Sequence, residues 1–154
     1  MANVGSRGFA PPGAKREGDL RTPSGSFGFD YFFGIDPNPG VRFPYREIYG
    51  RNIVWDDDST SSRYNTWVDV RSQDPGASPE PMYVTPDYEY GAVMDYNAGQ
   101  IPWLGSAIFL HVSAGAPTSG CVALRADELL QVLKWLDPNQ QPRIIMGTRG
   151  SIQS

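Results

Sequence analysis

Only one stretch of this chain has helical period, and that governs what the rest can form. Leu129, Val132, Leu133 and Leu136 fall at i, i+3, i+4 and i+7 and make one apolar stripe. Asp127 and Glu128 suit the positive N-terminal end of such a helix, and Pro138 stops it. A single late α-helix over about 126–137 is therefore expected. Elsewhere the chain carries 17 Gly and 14 Pro, a density that suits short strands joined by turns better than a helical bundle. The fold class read from this pattern is mostly β.

The strand candidates are short. Ser26 to Phe33 is aromatic-rich, Ile53-Val54-Trp55 and Thr66 to Val70 are brief apolar runs, and Gly91 to Tyr96 is another. Ala107 to Val112 (AIFLHV) is nearly all apolar and of strand length, which places it in the middle of the core. Gly120 to Leu124 and Arg143 to Met146 complete the set. Residues 1–25 read as loop, punctuated by Pro11-Pro12-Gly13 and Thr22-Pro23-Ser24-Gly25. Gly34 to Pro44 and Gln73 to Pro81 each hold three prolines and read as irregular connections. Asp56 to Ser62 reads as a polar surface loop; its acids lack the alternate spacing and distal Glu of a calcium loop, so a solvated turn is expected. No internal repeat breaks up residues 1–154, and one domain of this length can bury a core without staples.

Totals exclude several functions. Lys plus Arg number 13 against 17 Asp plus Glu, so no basic footprint for a phosphate backbone exists and nucleic acid is not an expected partner. No apolar run approaches the roughly 20 residues that span a bilayer. With one Cys there is no internal disulfide and no multi-thiolate metal site, and with one His a conventional zinc or iron site would rest on carboxylates. No metal or organic cofactor is expected. Met1 to Ala10 has no charged region followed by an apolar one, so it does not read as a signal peptide.

The sole His and sole Cys stand ten residues apart, His111 on the buried-looking strand and Cys121 after a Gly-bearing loop. A thiol attacks as thiolate, which a hydrogen-bonded imidazole promotes when a third group orients the ring. Gly115-Ala116-Pro117 is a natural point of reversal between the two. Gly120 lets a substrate come close to backbone N–H groups, so the amides of Gly120 and Cys121 are candidates for an oxyanion hole. Spacing alone leaves a bland alternative open, since free Cys and lone His are both common core residues.

The segment Ile108 to Leu124, IFLHVSAGAPTSGCVAL, resembles the active-site motif of the L,D-transpeptidase catalytic domain, also called YkuD-like. There a His on a strand is followed by a loop, Ser or Thr, and Gly-Cys. Lys15 to Phe27, KREGDLRTPSGSF, is similar to the family's upstream signature of Gly-Asp followed by Thr-Pro-x-Gly-x-Phe. The likeness runs from about Gly8 to Gly147 and implies a β-sandwich-like domain. It implies that Cys121 is the nucleophile, His111 the base, Val112 or Ser113 the source of the carbonyl that orients the imidazole, and Gly120 the oxyanion-hole glycine. Thr118 fits the Ser/Thr position, whereas Ser119 stands where many members carry a second His and Ala123 where many carry Asn. Thr118 and Ser119 are thus the expected substrate contacts of the loop. The family usually has strand sequence ahead of Lys15, so the N-terminus reads as clipped.

The implied chemistry is attack of Cys121 on a peptidoglycan stem peptide, release of the terminal D-residue, and capture of the thioester by an amine (a 3→3 cross-link) or by water (carboxypeptidase or amidase action). Acylation by carbapenems and export to the periplasm or cell wall follow from the same likeness. An inactive wall-binding domain of the same fold is the alternative of a different class.

Other residues carry weaker expectations. Arg16 and Arg21, with Lys15, border the upstream signature and are candidates for a stem-peptide carboxylate, against ordinary solvated charge. Asp19 and Thr22 are expected to fix a turn. Arg125 is a candidate to orient the loop or cap the helix. Tyr83, Tyr88, Tyr90, Tyr96, Trp67 and Trp103 either line a cleft or simply fill the core. A sortase-like enzyme needs a longer His-to-Cys interval and an Arg such as Arg143, and papain-like enzymes place Cys before His.

Overall fold

The computed structural model describes residues 1–152. Ten strands fall in three sheets: β1 Gly25–Phe27, β2 Phe29–Gly34, β3 Tyr45–Glu47, β4 Ile53–Asp56, β5 Thr66–Asp69, β6 Glu80–Pro81, β7 Gly91–Met94, β8 Phe109–Val112, β9 Val122–Leu124 and β10 Ile144–Met146. Helix α1 spans Ala126–Trp135, and a last turn, α2, spans Arg149–Ile152. The main sheet has the order β3-β2-β7-β8-β9, antiparallel in its middle and parallel at both margins. A smaller sheet has the order β5-β4-β6, and β1 pairs with β10. The mostly β reading with one main late helix holds.

Strand β8 explains the layering. All four of its residues are buried, which requires cover on both faces of the main sheet. Leu110 and Val112 point to one face, where Ala92, Met94 and Phe32 meet Leu129 and Leu133 of α1. Phe109 points to the other, where Phe33 and Val93 meet Ile53 and Trp55 of the smaller sheet. Phe109 has no exposed surface, and its ring makes edge contacts with Phe33, Trp55 and Tyr88. Truncating such a ring to Ala costs about 3–5 kcal/mol. Two residues on from Phe109, His111 shares its face and so looks toward the smaller sheet rather than the helix.

Several expectations need correction. Ser26 to Phe33 is two strands, because the chain leaves β10 and joins the main sheet at Gly28. Tyr45–Glu47, unremarked in the sequence behind its prolines, forms the parallel edge strand β3. The end of the Gln73–Pro81 stretch is not irregular: Glu80 and Pro81 pair with Trp55 and Val54. This is an edge position, where a proline's missing N–H is tolerated. Helix α1 ends at Trp135, short of 137, because Asp137 precedes Pro138 and is held extended at φ −118°, ψ 117°. Residues 1–25 are irregular but tightly stitched. Asn3 exchanges two backbone bonds with Ala123 at 2.8 and 2.9 Å, and Thr118 exchanges two with Val4 and Ser6 at 2.9 Å each. Among the described residues no helix is long and apolar enough to cross a membrane.

Candidate active site

The parallel pairing of β8 with β9 sets Leu110 opposite Val122 and His111 opposite Ala123. One residue back along both strands, Cys121 comes beside Phe109. With a side-chain period of two, His111 and Cys121 project from the same face as diagonal neighbours. That face opens into a cavity of about 480 Å³ whose walls include His111, Cys121, Gly120, Lys15, Glu80 and Tyr88. The ten-residue interval thus brings the pair together through sheet register.

His111 is 5% exposed. Its Nδ1 lies 2.8 Å from the carbonyl oxygen of Val112. A carbonyl only accepts, so Nδ1 carries the proton and Nε2 keeps its lone pair. Of the two residues expected to orient the ring, Val112 makes the bond. Ser113 is turned away: its amide donates to Leu124 O at 2.7 Å, its hydroxyl donates to Asn3 Oδ1, and it accepts from Gly115 N–H at 3.0 Å. Burial lowers the His111 pKa below the ordinary histidine value, against the pull of the Val112 bond and the Asp87 charge.

Cys121 is buried at 9% exposure. Its Sγ accepts from Phe109 N–H at 3.4 Å and donates to the Ala107 carbonyl at 3.1 Å. Hydrogen-bond contact with the imidazole was expected from the chemistry, yet among the described residues no hydrogen bond joins Sγ to His111. Burial, reinforced by the charge of Glu80, pushes the thiol up to about 12. The physical reason for the difference is that a neutral thiol needs only an acceptor, and Ala107 supplies one. The resting pair is therefore thiol and neutral imidazole, not an ion pair.

The Thr118 hydroxyl bonds at two points of the loop ahead of Cys121. Thr118 Oγ1 donates to the Cys121 carbonyl at 2.6 Å and accepts from Gly120 N–H at 3.1 Å. Thr118 lines the cavity, but its hydroxyl holds the loop. Of the two candidate oxyanion donors, the Gly120 amide is thus engaged, whereas the Thr118 hydroxyl leaves the Cys121 amide alone. Gly120 adopts φ +148°, and a Cβ there would sit 3.0 Å from Arg21 O and 3.5 Å from Lys15 Nζ. The position requires glycine. Ser119 is exposed on the cavity rim.

The three basic residues of the upstream signature separate. Lys15 is 5% exposed and stands in the cavity wall, its ammonium bonded to Asp19 Oδ1 at 2.5 Å and to Arg16 O at 3.0 Å. Arg16 and Arg21 are outside that wall. Arg16 donates to the carbonyls of Gly13 and Lys15, and Arg21 to that of Phe9. Asp19 accepts from the amides of Arg16 and Arg21, the turn-fixing role expected of it. Thr22 accepts from Gly5 N–H at 2.9 Å. Arg125 occupies the N-cap position of α1 without a side-chain capping bond, and pairs with Asp127 at the surface.

Sequence reasoning missed the acidic side of the cavity. Glu17, Asp57, Glu80 and Asp87 line it, drawn from segments with no common motif. Burial, with Asp57 and Glu17 nearby, raises Glu80 to about 7. Burial and the charge of Glu17 likewise raise Asp57 to about 6. Glu17 is held by Tyr64 at 3.0 Å and Ser106 at 2.5 Å. The stretch from Asp56 to Ser62 is not simply solvated: Asp56, which closes β4, has no exposed surface and accepts from Asp58 N–H, Ser61 Oγ and Gly76 N–H at 3.0, 2.6 and 2.9 Å. Of the six aromatics weighed for a cleft, Tyr88 alone is in this wall; Trp67 and Tyr96 line a separate cleft of about 250 Å³.

A sheet-borne His, a parallel neighbour carrying Gly-Cys, and an upstream loop closing over both make one arrangement. Comparison with curated proteins returned no match, and neither did comparison with solved structures. The family model for the L,D-transpeptidase catalytic domain, YkuD, matches residues 2–149, and the chain belongs to that family.

Proposed function

We propose that this chain is a cysteine-dependent L,D-transpeptidase acting on peptidoglycan stem peptides. The observation that carries the reading is that His111 and Cys121 project from one face into one cavity, with the imidazole's Nδ1–H committed to the Val112 carbonyl. His111 Nε2 takes the thiol proton as Sγ attacks the carbonyl between the L-centre of a diamino acid and the terminal D-residue. The tetrahedral oxyanion is met by the Cys121 amide, joined by that of Gly120 once the Thr118 hydroxyl releases it. Collapse expels the D-residue's amine, which leaves with the proton from His111, and a thioester remains. A side-chain amine of a second stem then attacks, and the thiol is regenerated with a 3→3 cross-link formed. Water in place of the amine gives carboxypeptidase or amidase action.

Thr118 acts by fixing the loop and Ser119 by contacting substrate at the rim. Lys15, within the wall, is better placed than Arg16 or Arg21 to meet a substrate carboxylate. Substrates of this class place the working enzyme outside the cytoplasm, in the periplasm or cell wall.

The inactive wall-binding alternative draws on one observation, the buried thiol bonded to Ala107 rather than to His111. The deciding experiment incubates the protein with a disaccharide-tetrapeptide and, separately, with a carbapenem, following intact mass and products. An adduct missing from Cys121→Ala, with loss of D-Ala or a dimer product, is the expected result; dimer against tripeptide separates transfer from hydrolysis. No adduct and no turnover would establish the inert domain instead.

A further inference from the structure

The imidazole is held at Nδ1 by the Val112 carbonyl and also meets the Asp87 backbone, and turning about its Cβ–Cγ bond would carry Nε2 away from the thiol. The His111 ring has a further constraint. Tyr88 stands edge-on to it, ring centroids 5.3 Å apart and planes at 80°. Tyr88 is 5% exposed and is wedged by edge contacts with Phe33 and Phe109, centroids 5.7 Å away in both cases. Its backbone is pinned as well: its N–H donates to Val84 O at 2.8 Å and its carbonyl accepts from Ile35 N–H at 3.0 Å. The carbonyl of Asp87, one residue earlier, accepts from Val112 N–H at 3.0 Å, so the Tyr88 loop is tied directly to the strand that bears His111.

The far end of the ring is fixed from the other sheet. The Tyr88 hydroxyl donates to Glu80 Oε1, and Glu80 belongs to β6, paired with Trp55 of β4. Tyr88 thus spans from the histidine strand of the main sheet to a carboxyl on the smaller sheet. Neither residue lies in the family motifs, and neither takes or gives a proton in the chemistry described above.

We propose that Tyr88 and Glu80 are positioning residues for acyl transfer: Glu80 anchors the Tyr88 hydroxyl, and the ring so anchored stops His111 from turning. This rests on the cysteine–histidine reading given above. Neither side chain need touch the substrate for the effect.

The chain's single histidine makes the test direct, because His111 gives the only imidazole signals in a nitrogen-15 spectrum. Tyr88→Phe keeps the ring and removes the anchor. Glu80→Ala removes the acceptor, whereas Glu80→Gln keeps an amide oxygen that still accepts from the phenol. Loss of one net hydrogen bond corresponds to a fall in kcat of roughly fivefold for Tyr88→Phe and Glu80→Ala on the disaccharide-tetrapeptide, with KM unchanged. Glu80→Gln should restore kcat to near the native value. The His111 Nδ1–H signal should be sharp in the native chain and in Glu80→Gln, and exchange-broadened in the other two. Unchanged kcat and a sharp signal in Tyr88→Phe and Glu80→Ala would overturn the proposal. So would a lowered kcat with a sharp signal and no rescue by Glu80→Gln, the mark of a merely structural pair. If the native chain turns nothing over, the acyl-transfer reading fails on its own, and the signal comparison still decides whether the pair fixes the ring.

Discussion

The Cys121 thiol donates to the carbonyl of Ala107 at 3.1 Å and not to the imidazole of His111. A thiol held this way is shielded. Its pKa is pushed up to about 12 by burial and by Glu80, so at every lower pH the thiolate fraction is below that of a free cysteine. At pH 8 alkylation by iodoacetamide should run about a thousandfold slower than for a free thiol of pKa about 8.5. The rate should also keep climbing beyond pH 10. The chain has one cysteine, so mass spectrometry reads this without ambiguity; a plateau near pH 8 would show that the pair rests ionised.

Gly120→Ala should damage both fold and activity. The added methyl meets Arg21 O at 3.0 Å in a backbone conformation, φ +148°, that L-residues avoid. Strain of this kind costs on the order of 1–3 kcal/mol. Relief by moving the loop would displace Cys121. A lowered melting temperature together with loss of the carbapenem adduct is expected; full retention of both would show that the loop yields freely.

Asp56→Ala should destabilise the chain by roughly 2–4 kcal/mol, because it strips the acceptor from two buried or half-buried amides and a hydroxyl. The bonds concerned come from Asp58, Gly76 and Ser61. Urea denaturation checks this. A change under 1 kcal/mol would mean that water replaces the carboxylate, as on an ordinary surface loop.

The carboxyl of Glu80 imposes a pH dependence on stability. Its ordinary value is 4.5, and burial first, then Asp57 and Glu17, raise it to about 7 in the folded chain. Between those values the folded state holds the proton that the unfolded state has released. Stability from this group is therefore fully present below pH 4.5 and is lost as pH rises to about 7, by on the order of 2–3 kcal/mol. Glu80→Gln should flatten that decline and raise the melting temperature at pH 8 relative to the native chain. An identical slope in both proteins would rule Glu80 out as its source.

Sequence disclosed the parts of this protein whose physics is local. The stripe from Leu129 to Leu136 specifies α1, and the apolar run Ala107–Val112 marks a buried segment, of which Phe109–Val112 is strand β8. The pair His111 and Cys121 was visible because each is the only residue of its kind and both lie in one motif. Glu80 and Asp57 were not visible as cavity residues, and Tyr88 could not be told from the other aromatics, because their meeting depends on how the smaller sheet sits on the main one. No periodicity encodes that. The upstream basic residues show the same limit: Lys15 and Arg16 are adjacent in sequence, yet one is buried in the cavity wall and the other is exposed, its guanidinium folded onto nearby carbonyls.

Asn3, Val4 and Ser6 bond to Ala123 and Thr118, on either side of Cys121. The practical corollary concerns how the protein is handled. An affinity tag or fusion partner joined close to Asn3 would pull on the cysteine loop itself, and a deletion of the first six residues would read in an assay as a catalytic defect although no reacting group had been touched.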